Sequence, residues 1–171
     1  LSISFSQVFS TYDYLGSRST AMSGAITSGN NIESGIFHNP AQLSNYSDVT
    51  IISGYSNLYG LDFLPLSHIG ISINNYAINF KNISTEFGGN TLSSETTVGI
   101  AKGFELYSDR QSLIQMGLRF NLYNYEFGQS AGTEGDGSNG MNLGSGSASG
   151  IDLGFQGVLN KKYYVAYYIK N

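Results

Sequence analysis

Between Ser112 and Phe127 the chain alternates strictly. Ile114, Met116, Leu118, Phe120 and Leu122 share one parity, while Gln115, Gly117, Arg119 and Asn121 share the other. Successive side chains of a strand point to opposite faces, so the pattern predicts a β-strand with one apolar and one polar face. The same signature recurs at Ile69, Ile71 and Ile73 against Gly70, Ser72 and Asn74, and at Tyr76, Ile78 and Phe80 against Ala77, Asn79 and Lys81. It returns at Val98, Ile100, Phe104 and Leu106 against Gly99, Ala101, Gly103 and Glu105, and at Ile151, Leu153 and Phe155 against Asp152, Gly154 and Gln156. Strands are therefore expected over about 49–56, 68–74, 76–82, 96–107, 112–127, 150–159 and 163–171.

The second face is the unusual one. A soluble sandwich places Lys, Glu and Thr there; this chain places Gly, Ser, Asn, Gln and a few charges of both signs. Charged residues are 12% of the chain, about half the roughly 25% of soluble domains. A polar lumen on one side and lipid on the other accounts for both facts and predicts an antiparallel up-and-down β-barrel of the outer-membrane kind. Lys81, Glu105, Arg119 and Asp152 share the lumen parity, either pairing with one another or with a hatch formed by the N-terminal segment, or standing isolated in water. Lys102 breaks the rule, since it shares parity with Ile100 and Phe104. Either a bulge shifts the register there or the lysine snorkels toward an interface.

The links between these strands are sorted by length. Asn74-Asn75, Ser108–Gln111 and Asn160–Lys162 are short, whereas 57–67, 83–95 and 128–149 are long. In a meander alternate links lie at opposite ends, so all the long ones are expected at one end, as in outer-membrane barrels. The stretch Gly128–Ser149 is rich in Gly and Ser and is expected to be a mobile loop, because it cannot bury enough apolar area to offset its ordering entropy. Glu134 and Asp136 lie in it without EF-hand spacing, and no G-x-G-x-x-G opens a helix.

Several function classes drop out. A net charge of −4 and a pI near 4.9 offer no basic surface for nucleic acid. There is no cysteine for a disulfide or thiolate site, and no apolar run long enough for a transmembrane helix. His38 and His68 are the only histidines and form no ligand pattern, and no G-x-S-x-G occurs. Neither an enzyme nor a bound cofactor is expected. Asn45-Tyr-Ser47 and Asn82-Ile-Ser84 are sequons, meaningful only in a glycosylating compartment.

Residues before the first strand do not alternate. Ala21, Gly24 and Ala25 suggest close packing of small residues, and Asn39-Pro40 marks a helix start, the Asn capping and the Pro suiting the first position. Gly16-x-Arg18-x-x-Ala21-Met22-x-Gly24-Ala25, the pair Asn30-Asn31 and Phe37-x-Asn39-Pro40-Ala41-x-Leu43 resemble the N-terminal segment of PorV/PorQ-type outer-membrane proteins, within the wider group of FadL-like barrels. The family often has Asn-Pro-Ala-Gly where this chain ends in Gln42, and Met-Gly-Gly-Ala where it has Ser23. The resemblance implies a barrel of about fourteen strands, of which this chain would be about half, with an internal hatch that includes Gly16, Arg18, Ala21, Met22, Gly24, Ala25, Asn39, Pro40 and Ala41. The expected organisation is a possible signal-peptide remnant at 1–6, a hatch at 7–48 and barrel strands at 49–171. Seven strands alone would leave unpaired backbone in lipid, so a piece truncated at both ends is expected. For function, the resemblance implies type IX protein secretion, with outer-membrane lipid, secreted substrates or secretion components as partners. The alternatives are FadL-like passage of hydrophobic small molecules, or a soluble surface β-domain outside the family.

Overall fold

The computed structural model describes residues 15–88, 90–130, 132 and 139–170. The expected signal remnant at 1–6 lies outside them, as do Glu134 and Asp136. The chain is all-β apart from short helical turns. Seven antiparallel strands, β1 (Thr50–Asn57), β2 (Pro65–Ile73), β3 (Tyr76–Phe87), β4 (Asn90–Ser108), β5 (Ser112–Gln129), β6 (Asn142–Leu159) and β7 (Tyr163–Ile169), pair in sequence order. They form one curled, half-barrel sheet. Ahead of them come α1 (Ser17–Ala21), α2 (Ile32–Phe37) and a 3₁₀ helix, η1 (Pro40–Asn45). No helix among the described residues is long and apolar enough to cross a membrane, which says nothing about strands.

Register follows from the parity pattern. Ile51, Ile71, Ile78, Ile100, Phe120 and Ile151 are direct cross-strand partners in one unbroken row over six strands. All six side chains are exposed. A one-residue slip would send the whole row to the opposite face, so burial of that face against the helices locks the pairing. The turns match the chemistry. Asn74 and Asn75 both have positive φ, as do Asn160 and Lys161, the backbone that a type I′ turn needs and that Asn tolerates.

The core lies between the helical segment and the inner face of the sheet, with no second sheet among the described residues. Leu15, Ile36, Phe37 and Leu43 meet Leu66, Ala77, Ile83 and Ala101. Ile36 and Leu43 are fully buried, each contributing about 1.5–3 kcal/mol on transfer from water.

Three expectations need correction. The first concerns the long links: Ile83–Phe87, Asn90–Glu95 and Asn142–Ser149 lie in strands. Tyr76–Phe87 and Asn90–Ser108 pair as a hairpin, Gly144–Ser149 pairs with Leu122–Phe127, and Asn142 pairs with Gln129. The sorting of links by length therefore fails at this hairpin, whose link is as short as Asn74-Asn75. The Gly-Ser run joins the ladder through backbone hydrogen bonds, which any residue except Pro can make. Both faces there are exposed, so no apolar alternation announces them.

The second correction is at Lys102. It pairs with Tyr76 and Leu118 in continuous register, and the β4–β5 shift comes later, between Glu105 and Tyr107. No bulge explains it. The third is that Ala21 and Ala25 are exposed and Gly24 half-buried, so these small residues do not pack closely against the sheet.

Candidate functional site: the seat of the helical segment

The inner face is shaped to receive η1. Gly103, Gly117 and Gly154 are direct partners across β4, β5 and β6, and together they make a trench with no side chains. A methyl at Gly103 would overlap the Ser44 amide, one at Gly117 would overlap Pro40 and Ala41 backbone, and one at Gly154 would overlap the Asn39 side chain. Glycine in a strand interior often marks such an approach of another backbone.

Asn39 and Pro40 sit at one end of the trench. The Asn39 Oδ1 accepts from the Ala41 amide at 3.0 Å, satisfying one of the amides that a helix start leaves orphaned. Its Nδ2 donates to the carbonyls of Thr27 at 2.8 Å and Phe155 at 3.4 Å. Asn39 is therefore a cap and a tie to β6, with no exposed surface. Asn39→Ala is expected to cost about 1–2 kcal/mol in a denaturant melt, the range for loss of a cap, because Thr27 O keeps the Gln42 Nε2 donor and the contact to Phe155 O is long at 3.4 Å. An Asn39→Ala protein within 0.5 kcal/mol of the parent would show that the cap is dispensable.

Gln42, where the resembled family often has Gly, is fully buried. Its Nε2 donates to Ile26 O, Thr27 O and Ser34 Oγ at 3.1, 3.0 and 3.0 Å, and its Oε1 accepts from the Asn31 amide. The departure thus ties the two halves of the helical segment together. Asn31 itself caps α2 through the Glu33 amide.

Arg119 is the central cation. It is 3% exposed, and its guanidinium lies under the C-terminal end of α2. Nη1 donates to Phe37 O and His38 O at 3.1 and 2.9 Å, and Nη2 to Gly35 O and Ile36 O at 3.0 and 2.8 Å. Asn79 Nδ2 adds a bond to Ile36 O at 2.8 Å. These carbonyls are the ones a helix leaves without partners at its end, where positive charge is favoured. Behind the arginine, Asp152 Oδ2 stands 3.7 Å from Nη1 and accepts from Asn121 Nδ2 and the Tyr168 hydroxyl, each at 2.8 Å. β5, β6 and β7 thus converge on one latch.

A second tie lies further along the trench. Gln115 Nε2 donates to Ser44 Oγ and, at 2.6 Å, to Asn45 Oδ1. Gln156 Nε2 donates to Gln115 Oε1 at 2.9 Å and its own Oε1 accepts from the Gly29 amide, also at 2.9 Å.

The four lumen-parity charges separate. Arg119 and Asp152 form the latch. Lys81 is buried and lies 3.6 Å from Glu95, a residue the parity argument had not singled out. Glu105 lies opposite Gln115 but is exposed and outside the latch. Of the motif residues, Asn39, Pro40 and Ala41 are buried at the seat. Gly16 has φ +90° and caps α1 where a Cβ would overlap the Glu33 carboxylate. Arg18, Ala21, Met22 and Ala25 are exposed. Arg18 acts on Tyr46, whose hydroxyl pKa is raised above its usual value chiefly by burial, the nearby guanidinium pulling the other way.

Ser19 Oγ lies 3.3 Å from His38 Nε2, but Ser19 is fully buried and its hydroxyl cannot meet a substrate. Among the described residues no group of three metal-ligating side chains converges. The signals missed in the sequence are Gln42, Gln115, Gln156, Asn79, Asn121 and Tyr168. A polar side chain in register with the glycine trench would have pointed to most of them. Comparison with protein-family models, curated proteins and solved structures finds no match.

Proposed function

We propose that this chain forms part of the wall of an outer-membrane β-barrel, with the helical segment as a hatch inside it. The observation that carries the reading is the inverted distribution of polarity. Large apolar side chains such as Ile78, Ile100, Phe120 and Ile151 are exposed, while Arg119, Asp152, Gln115 and Gln156 are buried. Water around the outer face would leave this apolar band unsatisfied; lipid accepts it. On β5 the band runs from Ile114 to Leu122, roughly 26 Å along the strand at ~3.3 Å per residue. A tilt of about 40° lowers this to about 20 Å, near the ~25 Å of outer-membrane barrels. Beyond it β3, β5 and β6 continue with a mostly polar outward parity, as at Asn82, Ser84, Asn124, Glu126, Ser145 and Ser147, which suits projection from the membrane.

Within that class, PorV/PorQ-like service in type IX protein secretion is the reading we favour. The support is the Asn39-Pro40-Ala41 seat together with an inner face whose apolar residues, Leu66, Ala77, Ile83 and Ala101, are covered by the helical segment, the rest being largely Gly, Asn, Gln and buried ion pairs, which leaves little apolar lining for a hydrophobic solute. Exported protein or secretion components would then meet the polar strand extensions.

The absence of cysteine allows a clean test. Single variants Ser145→Cys, on the exposed extension, and Lys161→Cys, in the β6–β7 turn, are treated in intact cells with a membrane-impermeant maleimide. Ser145→Cys is expected to label at once, and Lys161→Cys only after the outer membrane is opened. The reverse order would invert the orientation. Immediate labelling of both, with release of the protein by alkaline extraction, would sink the barrel.

A further inference from the structure

We infer that the cleft between the helical segment and the short-turn end of the sheet binds a small zwitterion, an amino acid or dipeptide with an apolar side chain. The inference goes beyond the barrel reading and does not depend on lipid at the outer face. Every wall of the cleft belongs to the inner face, the turns or the helical segment.

One inner row builds the floor. Ser108, Leu113, Val158 and Tyr164 are successive cross-strand partners on β4, β5, β6 and β7. They stand two residues nearer the turns than the row of Gln115 and Gln156 on β5 and β6. Asn30 and Asn45 close the cleft from the helical segment. Asn45 Nδ2 donates to Asn30 Oδ1 at 3.1 Å, and Gln115 Nε2 donates to Asn45 Oδ1 at 2.6 Å, so this side is tied to the sheet. The cavity has a volume of about 400 Å³, near the small end of the roughly 300–1,000 Å³ of small-molecule sites.

Charge decides what fills it. Asp109 and Arg110 in the β4–β5 turn and Lys161 in the β6–β7 turn line the cleft. None of the three forms an ion pair among the described residues. The backbone fixes their places: the Asp109 amide donates to Ser112 O at 2.8 Å, and the Asn160 amide donates to Gln111 O, bridging the two turns. A rim of two cations and one carboxylate suits a ligand that carries both signs. A dianionic phosphate would meet the Asp109 charge, and a ligand without a cation would leave that carboxylate unpaired. The carboxylate of a zwitterion fits the planar fork of Arg110, with Lys161 as a second cation, and its ammonium pairs with Asp109. Leu113 and Val158, both half-buried, and the Tyr164 ring give an apolar side chain a surface to cover.

The test titrates alanyl-leucine into the full chain in dodecyl maltoside while backbone amide shifts are followed. Saturable shifts are expected at Ser108–Leu113 and Asn160–Tyr164. N-acetyl-alanyl-leucine lacks the ammonium and alanyl-leucine amide lacks the carboxylate. Each should bind about tenfold more weakly, the usual scale for losing one charge-assisted hydrogen bond. Arg110→Gln should weaken alanyl-leucine by a similar factor and leave the amide form unaffected. Asp109→Asn should do the same for the parent dipeptide and leave the acetylated form unaffected. Both residues are exposed turn positions, and parent-like amide shifts across β4 and β5 would show each variant folded. Free leucine separates the two sources: equal affinity assigns the site to an amino acid, weaker affinity to a dipeptide. No saturable shift at the two turns, equal binding of either blocked form, or unchanged affinity in both variants would overturn the site. The barrel reading would survive that failure, since the cysteine-labelling test stands on the outer face and loops alone.

Discussion

Replacing Arg119 by Leu is expected to lower unfolding free energy by about 3–5 kcal/mol, the usual cost of removing one member of a buried ion pair. The change strands Asp152 in a site where it has 1% exposure, and it takes the donor away from four carbonyls at the end of α2. The outcome should be local before it is global. Amide exchange across 32–45 should accelerate strongly while the β4–β5 ladder stays protected, because that ladder's bonds do not involve the side chain. Arg119→Lys should recover only part of the loss, since a point charge cannot reach four carbonyls as a planar fork does. If exchange at 32–45 is unaltered in Arg119→Leu, the helical segment is held by apolar packing alone and the latch is incidental.

Gly117→Ala is expected to act almost as strongly through a single methyl group. The added carbon would overlap the Pro40 carbonyl carbon and the Ala41 amide, backbone atoms that cannot rotate away as a side-chain tip can. Overpacking typically costs about 1–3 kcal/mol, and Gly117→Val should go beyond it by forcing η1 off the trench. The companion change Gly157→Ala makes a sharp control. It lies two residues beyond Phe155 on the outward parity of the same sheet, and its added carbon would meet only Val165 O, at 4.0 Å. That variant should be neutral or slightly stabilising, because alanine loses less backbone entropy than glycine on folding. Equal stability of the Gly117→Ala and Gly157→Ala proteins in a urea melt would mean that the trench is not a close-packed seat.

Particular residues show how far the sequence could be read. Ile114 to Leu122 announced β5 and its two faces because apolar side chains occupy one parity and the polar ones of the other parity are buried beneath the helical segment. Ser145 to Ser149 announced nothing, since an exposed strand has no burial to impose alternation on it. Its partners across β5 recruit it through backbone bonds alone. Asn39-Pro40 signalled a helix start for a local reason, the capping of orphan amides. That Asn39 also donates to Phe155 O was invisible, because the two residues are distant in sequence and meet only once the sheet has curled. Lys81 shows a similar limit. Parity placed it inward, but the choice of Glu95 as its neighbour depends on the β3–β4 register.

Local sequence set the alternating parts of the strands, their two faces, the short link at Asn74-Asn75 and the capped start of η1. Each depends on neighbours within a few positions, through side-chain alternation or a local hydrogen bond. The tertiary structure alone decided that Gly103, Gly117 and Gly154 align into one trench, that Arg119 closes the end of α2, and that Gln42 and Gln156 tie the helical segment together. These arise from cross-strand register and from contact across the inner face, where a polar side chain can be buried only if a distant backbone arrives to satisfy it.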